Sequence, residues 1–172
     1  MIFKASLDKT SRLITLAITI LFAAIICWKF FVDVNPQANF KIPVAIGLAL
    51  IYVSSYLFST KSYELNQTEL LIRRPLVNVT INPQQIKNAI AMDRKTMGWA
   101  ARTFGVGGLF GFYGYFFNAK FGNMTWYATR KDRVILIETF QGKKIVISPD
   151  NPDQFLNALD KVSAGREIYD PK

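Results

Sequence analysis

Two long apolar stretches dominate the first third of the chain. Residues 13–32 are twenty positions with Lys29 as their one charge, and residues 42–60 are nineteen positions with none. A helix of about 20 residues spans the roughly 30 Å hydrocarbon core of a bilayer, and neither stretch has the polar face of a soluble amphipathic helix. The pattern therefore predicts two transmembrane helices rather than two buried helices of a globular domain.

The connector between these stretches, residues 33–41, is short and polar. Such a connector predicts an antiparallel helical hairpin with both chain termini on one side of the membrane. Cytoplasmic flanks of transmembrane helices carry an excess of Lys and Arg. The connector has Lys41, with Lys29 close by, whereas the outer flanks have more: Lys4, Lys9, Arg12, Lys61, Arg73 and Arg74. Both termini, and everything after the hairpin, are therefore expected in the cytoplasm.

A cleaved signal sequence is the alternative interpretation of the first stretch. A basic start, an apolar segment and the pair Ala23-Ala24 resemble such a signal, and Cys27 would then suggest a lipoprotein. However, the residue before this cysteine is the bulky Ile26, where lipoprotein signals carry a small residue, and the apolar stretch continues to Val32. These features favour an uncleaved helix in which Cys27 faces lipid or a neighbouring helix.

Beyond residue 60 apolar and polar positions alternate, which is the period of a half-buried strand. Val77, Val79 and Ile81 share one face, and Gln141-Gly142 separates two β-branched runs as the turn of a hairpin. Strands are predicted at about residues 62–66, 69–74, 76–81, 85–92, 110–117, 123–129, 133–139 and 143–148.

The end of the chain returns to a helical period. Asn151 is a suitable N-cap and Pro152 suits the first helical position, while Phe155, Leu159 and Val162 recur on one face. This pattern predicts one amphipathic helix packed by a single apolar stripe. Several short strands followed by such a helix are typical of a small barrel or double sheet that the helix closes.

The β segment resembles the bacterial pleckstrin-homology-like (PH-like) domain family, whose members often carry two transmembrane helices ahead of a domain of this size. The resemblance covers about residues 61–160 and rests on Tyr63-Glu64-Leu65, Leu70 with Ile72, the glycine-rich residues 102–116, Tyr127-Ala128-Thr129, residues 134–139 and residues 142–159. It implies a seven-stranded, barrel-like double sheet closed by a C-terminal helix. It supplies no catalytic residues and no cofactor.

The expected fold class is an N-terminal transmembrane helical hairpin plus a mainly-β, PH-like barrel or double sheet with a C-terminal capping helix. The expected limits are a cytoplasmic flank at residues 1–12, the hairpin at 13–60 with helices 13–32 and 42–60, the β domain at 61–162 with its helix at 152–162, and a polar tail at 163–172. Together with the resemblance, this organisation predicts a multi-pass protein of the bacterial inner membrane.

Residues 103–119 are uncharged and combine five glycines with several aromatic residues. Phe110 stands where a dinucleotide fingerprint needs its third glycine, and no Gly-Lys-Ser or Gly-Lys-Thr of a phosphate loop is present. Two interpretations remain open. One is a flexible segment that leads into a strand and buries its aromatic rings. The other is an interfacial loop that places Phe110, Phe112, Tyr113 and Tyr115 in the bilayer surface.

Charge adds a candidate partner. The 172 residues include 21 Lys and Arg against 12 Asp and Glu, a net charge of +9, which favours anionic partners. Six basic residues flank the glycine-rich segment: Arg94, Lys95, Arg102, Lys120, Arg130 and Lys131. They form either an ordinary solvated surface or a face that contacts anionic lipid headgroups. Each such residue contributes on the order of 1 kcal/mol near an anionic membrane.

The sequence contains few candidates for catalytic residues. The chain has no histidine and one cysteine, which removes the commonest general base, an internal disulfide and any Cys-cluster metal site. Ser6 and Lys9 have a suggestive spacing but lie in the flank. We therefore expect a non-enzymatic module without metal, cofactor or nucleic acid. Two functions stay open: scaffolding that recruits or regulates a membrane-associated protein, or self-associates, and sensing of anionic lipid headgroups.

Overall fold

The structure, a computed structural model, describes residues 1–32 and 40–164. Most of the predicted connector at 33–41 and most of the predicted tail at 163–172 therefore lie outside the described residues. Two apolar helices stand beside a mainly-β domain that consists of two sheets and a C-terminal helix.

The first helix, α1, spans Lys9–Cys27 and continues as a π-helical turn over Trp28–Val32. The carboxylate of Asp8 caps its start by accepting the Ser11 N–H at 2.7 Å. The segment Lys9–Phe31 has a mean hydropathy of 2.3 and is long and apolar enough to cross a membrane.

The second helix, α2, spans Lys41–Leu57 and is apolar but shorter. It meets α1 where the hydroxyl groups of Thr19 and Tyr52 lie 3.0 Å apart and the rings of Phe22 and Tyr52 are 6.4 Å apart. Large apolar side chains of both helices are exposed on the protein: Leu13, Leu16, Ile20, Leu21, Ile42, Ile46, Leu50 and Ile51. These side chains are therefore covered neither by the β domain nor by the other helix.

The smaller sheet is antiparallel, with strand order β1-β2-β3-β4. Its strands are Ile2–Lys4, Ser62–Leu65, Leu70–Arg73 and Val79–Ile81. Phe3 is buried in this sheet's core, with its ring 5.0 Å from that of Phe155. The start of the predicted flank at 1–12 is thus part of the β domain. Three residues are too few to show a strand period, and the pairing partner is some sixty positions away.

The larger sheet has six strands in the order β5-β9-β10-β8-β7-β6. Neighbours are antiparallel except β8 and β10, which are parallel. The strands β5 to β10 are Ile86–Asp93, Ala101–Gly108, Gly111–Asn118, Gly122–Ala128, Arg133–Thr139 and Lys144–Ile147. A single helical turn, α3 (Arg94–Met97), joins β5 to β6.

Both faces of the larger sheet are packed. Ile135 and Ile137 of β9 belong to a core shared with the smaller sheet, whereas Val134 and Leu136 belong to a second cluster around Trp126. Burial on both faces explains why β9 reads as a continuous apolar run rather than an alternating one.

The glycine-rich segment is not a flexible lead-in, which was one of the two interpretations that the sequence left open. It forms β6, a two-residue turn and most of β7. With β6 and β1 added to the eight strands predicted from the sequence, the described residues form ten strands, where the resemblance implied seven. Gly105 and Gly114 lie opposite each other with φ angles of 113° and 117°. Only glycine adopts such a backbone without strain, and these glycines permit the close approach of the two strands. Because glycine has no side chain, the same residues interrupt the alternating sequence pattern by which a strand is predicted.

The C-terminal helix, α4, spans Pro152–Ala164 and confirms the helix predicted at 152–162. The N–H of Phe155 donates to the carbonyl of Asn151, as expected at a helix start. Phe155, Ala158 and Leu159 are buried in the core shared by the two sheets. The helix therefore closes the β domain by one apolar face.

Tyr63 links the two sheets and gives a testable pH dependence. Its buried hydroxyl donates to the Tyr127 carbonyl at 2.6 Å and accepts from the Ser148 N–H at 2.9 Å, and burial raises the pKa of Tyr63 to about 12. We expect Tyr63→Phe to lower the free energy of unfolding by about 1–3 kcal/mol.

The raised pKa also sets the sign of the pH effect. The stabilisation is complete below the ordinary tyrosine pKa of 10.0 and is lost as pH rises toward about 12, because the folded protein resists the ionisation that the unfolded chain undergoes. Denaturant titrations between pH 8 and 11 should therefore show a shallower decline in Tyr63→Phe. Parallel declines in the two proteins would contradict this role of Tyr63.

Candidate functional site

One end of the larger sheet contacts both helices through the β6–β7 hairpin. The Thr15 hydroxyl of α1 donates to the Gly108 carbonyl at 3.3 Å and accepts from the Phe110 N–H at 3.0 Å. On the other helix, the Tyr113 hydroxyl donates to the Ser55 carbonyl at 2.5 Å. These bonds fix the β domain to the helical pair, and we call them the hairpin contact.

Phe110 occupies the centre of the hairpin contact. Its ring packs edge-on against Tyr52 at 5.1 Å and Tyr56 at 5.4 Å, both on α2. It is also the one non-glycine residue with a positive φ, 57°, among the described residues, as the tight two-residue turn requires. The tip of the hairpin therefore rests on the apolar surface of the helices.

The four residues predicted for an interfacial loop occupy three environments. Phe110 contacts α2, as described, and Tyr113 is buried with its hydroxyl bonded to α2. Phe112 points into the domain, with its ring 6.4 Å from that of Trp126. Tyr115 is 60% exposed and lies farther along β7. They belong to a strand and its turn, and the two of the four that contact the helices are Phe110 and Tyr113.

A pocket of about 500 Å³ lies where α1 begins. The start of α1, the α3 turn and the turn between β8 and β9 all contribute to its wall. Its charged residues are the basic Lys9, Arg12, Arg94, Arg130 and Lys131 and the acidic Asp8 and Asp132. We call it the basic pocket, because its cations outnumber its anions.

Lys131 is a partly buried cation of the basic pocket. Its Nζ lies 4.4 Å from the centre of the Phe112 ring. Burial, followed by repulsion from Arg94, lowers the pKa of Lys131, with smaller opposing and reinforcing effects from Asp8 and Arg102. The repulsion from Arg94 and Arg102 shows that positive charge is crowded here, and an anion in the pocket would offset it.

Arg130 differs from its neighbours because it is already paired. Its Nε lies 2.5 Å from Asp132 Oδ1, and its Nη1 lies 3.7 Å from Asp150 Oδ1. Arg94, by contrast, makes no ion pair within the described residues. The cations best placed to meet an incoming anion are therefore Arg94 and Lys131.

A smaller cavity of about 240 Å³ adjoins the basic pocket and shares Arg94 and Lys131 with it. Trp126 also lines this cavity. The buried indole N–H of Trp126 has no hydrogen-bond partner within the part of the chain that the structure describes. Three potential donor side chains thus meet at one place.

The structure gathers some of the six predicted basic residues and separates others. Arg94, Arg130 and Lys131 meet in the basic pocket, and Arg102 is near enough to affect the pKa of Lys131. Lys95 lies on α3 but does not line the pocket, and Lys120 lies at the β7–β8 turn, which is the opposite end of the sheet.

Sequence reasoning missed Lys9 and Arg12 as members of this site. Both were noted only for membrane orientation, although their place at the start of an apolar helix is itself a signal for a membrane-proximal cation. Among the described residues, no group of three or more His, Cys, Asp or Glu could hold a metal ion.

Comparison with known families agrees with this architecture. A family model described as the bacterial PH domain matches residues 61–163, which is more than half of the chain. The chain therefore belongs to the bacterial PH domain family. PH-like domains are generally non-catalytic binding modules. Neither the curated proteins nor the solved structures include a match to this chain.

Proposed function

We propose that the protein is a membrane-anchored, non-enzymatic binding module whose basic pocket holds anionic lipid headgroups at the cytoplasmic face of a bacterial inner membrane. The observation that carries the proposal is the position of the pocket. Its cations surround the first turn of α1, the helix that is long and apolar enough to cross a membrane. Headgroups are the anions found at that level.

The proposal includes α2 as a second span. Its 17 residues are about 25 Å long as a helix, and no charge occurs between Ile42 and Leu57. In water, the exposed apolar side chains of two adjacent helices would form a large unfavourable patch, whereas in a bilayer they face lipid. The basic flanks of the helical pair support a cytoplasmic β domain.

The depth of the hairpin contact also supports this placement. Thr15 lies one helical turn beyond Arg12, and Tyr52 and Tyr56 lie within the last turns of α2. Aromatic side chains are stable at the boundary between hydrocarbon and headgroups. If the tip of the β6–β7 hairpin lies at that boundary, the basic pocket beside Arg12 lies among the headgroups.

The proposal predicts selective stabilisation by anionic lipid. Added phosphatidylglycerol should raise the thermal unfolding midpoint of the full chain in detergent, phosphatidylcholine should not, and salt should weaken the effect. Charge reversal by Arg94→Glu with Lys131→Glu should weaken apparent phosphatidylglycerol binding by roughly tenfold or more, since each basic residue contributes on the order of 1 kcal/mol.

Lys120→Glu with Lys143→Glu is the matched control, because it changes the net charge equally at the far end of the sheet. Arg94→Gln with Lys131→Gln should give an intermediate loss. Equal stabilisation by both lipids, or an equal loss in the control variant, would show that the basic pocket does not bind headgroups.

Recruitment of a protein partner is the second candidate function. It is favoured by a separate groove on the larger sheet, which is lined by the edge strand β4 of the smaller sheet.

A further inference from the structure

A groove runs along the larger sheet on the same face that packs against the smaller sheet, beyond that sheet's last strand, β4. One part, of about 770 Å³, lies between the end of α2 and the β6–β7 hairpin, and another, of about 570 Å³, lies between β4 and the β9–β10 turn. Tyr115, Thr125 and Tyr127 line both parts. The two parts therefore form one continuous channel, which we call the sheet groove.

The sheet groove has a direction relative to the helices. It begins at Ser54, Ser55 and Phe58 in the last turn of α2 and ends at Lys143 beyond β9. Along its floor it follows β8 from Tyr127 to Asn123, which is about five residues of extended chain. The groove thus leads away from the helical pair and suits an extended segment better than a compact ligand.

All the charges in the wall of the sheet groove have one sign. Arg74 lines the part beside α2, Lys143 lines the distant part, and no Asp or Glu is among the described lining residues. Arg102 and Lys144 line it too, but the Arg102 guanidinium lies beside Gly107 and near Lys131, and the Lys144 Nζ donates to the Phe121 carbonyl at 2.7 Å. Such a wall is complementary to carboxylates.

Arg74 is held in position before any partner arrives. Its guanidinium carbon lies 5.7 Å from the ring of Phe58 and 5.4 Å from that of Tyr127, and its Nε donates to the Val77 carbonyl at 2.7 Å. No ion pair of Arg74 occurs within the described residues, so its terminal nitrogens remain available for a bidentate contact with a carboxylate.

The side of the groove near its far end is a sheet edge. β4 is the last strand of the smaller sheet, and Val79, Thr80 and Ile81 line the groove. An exposed edge can accept an extended peptide as an additional strand. Because β4 has only three residues, its backbone can pair with only a short part of the peptide. This pairing would set the direction of the peptide, and contacts with the basic side chains and Tyr115 would select its sequence.

We propose that the sheet groove binds an extended acidic segment of another membrane protein, at the point where that segment leaves the bilayer. The groove starts beside the last turn of α2, so its occupant enters from the membrane surface. It continues to the end of the sheet far from the helices, where a lipid of the same membrane does not reach. The proposal rests on the proposed anchoring, and it does not rest on headgroup binding in the basic pocket.

A random ten-residue peptide library, displayed and selected against the full chain in phosphatidylcholine nanodiscs, tests this proposal. We expect the enriched peptides to carry Asp or Glu at alternate positions and to bind without anionic lipid. Arg74→Glu, Lys143→Glu and Tyr115→Ala should each weaken their binding, and the combination should weaken it by at least about tenfold. Lys87→Glu, exposed on β5 and outside the groove, is the control and should leave binding unchanged.

A second set of peptides tests whether the backbone of the bound segment pairs with β4. Enriched peptides resynthesised with alternate N-methyl groups keep their charges but cannot donate to β4, and their binding should fall. Enrichment no greater than on empty nanodiscs, no acidic preference, or equal binding by the groove variants would overturn the proposal. The proposal would also be overturned if Arg74→Glu and Tyr115→Ala abolished the thermal stabilisation by phosphatidylglycerol, because the sheet groove would then be a lipid site.

The two proposals fail separately. Arg94→Glu with Lys131→Glu should abolish the effect of phosphatidylglycerol while leaving the selected peptides bound. A loss of peptide binding in that variant would mean that the sheet groove is not an independent site.

Discussion

Replacing Phe3 by alanine should remove a large part of the stability of the β domain, although the family match begins only at residue 61. Phe3 is 6% exposed, belongs to β1 and packs against Phe155 of α4. Truncation of a buried phenylalanine costs about 3–5 kcal/mol, out of about 5–15 kcal/mol for a typical domain. Chemical denaturation of the full chain in detergent, followed by circular dichroism, measures the loss.

Ile2→Ala is the matched control, because the neighbouring Ile2 is exposed and should change the free energy of unfolding by less than about 1 kcal/mol. For the same reason, an isolated fragment of residues 61–172 should not fold stably, since it lacks β1 and the contacts of Ser6 with Asp150. A fragment as stable as the full domain would show that β1 is an accessory strand.

Placing a methyl group at Gly105 or Gly114 should disrupt the β6–β7 hairpin. A Cβ on Gly105 would overlap the Tyr113 carbonyl, and one on Gly114 would overlap the Phe104 carbonyl. Backbone strain at positive φ and steric overlap each cost about 1–3 kcal/mol. We expect Gly105→Ala and Gly114→Ala to lower stability and to release the hairpin contact, which hydrogen exchange of the amides in β6 and β7 would detect as faster exchange.

Gly107→Ala provides the comparison within the same hairpin. Gly107 has an ordinary φ, and an added Cβ would meet the Arg102 guanidinium at 3.5 Å, an ordinary contact distance. This variant should keep near-normal exchange rates in β6 and β7. Similar exchange in all three variants would mean that the close approach at Gly105 and Gly114 does not hold the hairpin.

Elements with a strong local signal could be predicted from the sequence. α4 has a cap, a proline at its first position and one apolar stripe, so it was predicted to within two residues at its end. β8 alternates cleanly, with Met124, Trp126 and Ala128 on the buried face. Each of these signals lies within the element itself.

Elements that depend on distant partners escaped prediction. β1 is three residues long and is stabilised by pairing with β2, and β6 carries glycines where a strand period should appear. The basic pocket joins Lys9 to Lys131, which are more than a hundred positions apart. Lys120, although close to the pocket residues in sequence, lies at the opposite end of the sheet because β8 runs between them.

Distance from the headgroups tests the central claim most directly. Lys95→Cys beside the basic pocket and Gln141→Cys at the β9–β10 turn can each carry a fluorescent label in a Cys27→Ala background. β9 runs from Arg133 near the pocket to Thr139 near Gln141, seven residues or about 20 Å. In vesicles with headgroup-attached nitroxides, the account predicts strong quenching at position 95 and little at 141. Equal quenching, or stronger quenching at 141, would contradict a basic pocket that faces the headgroups.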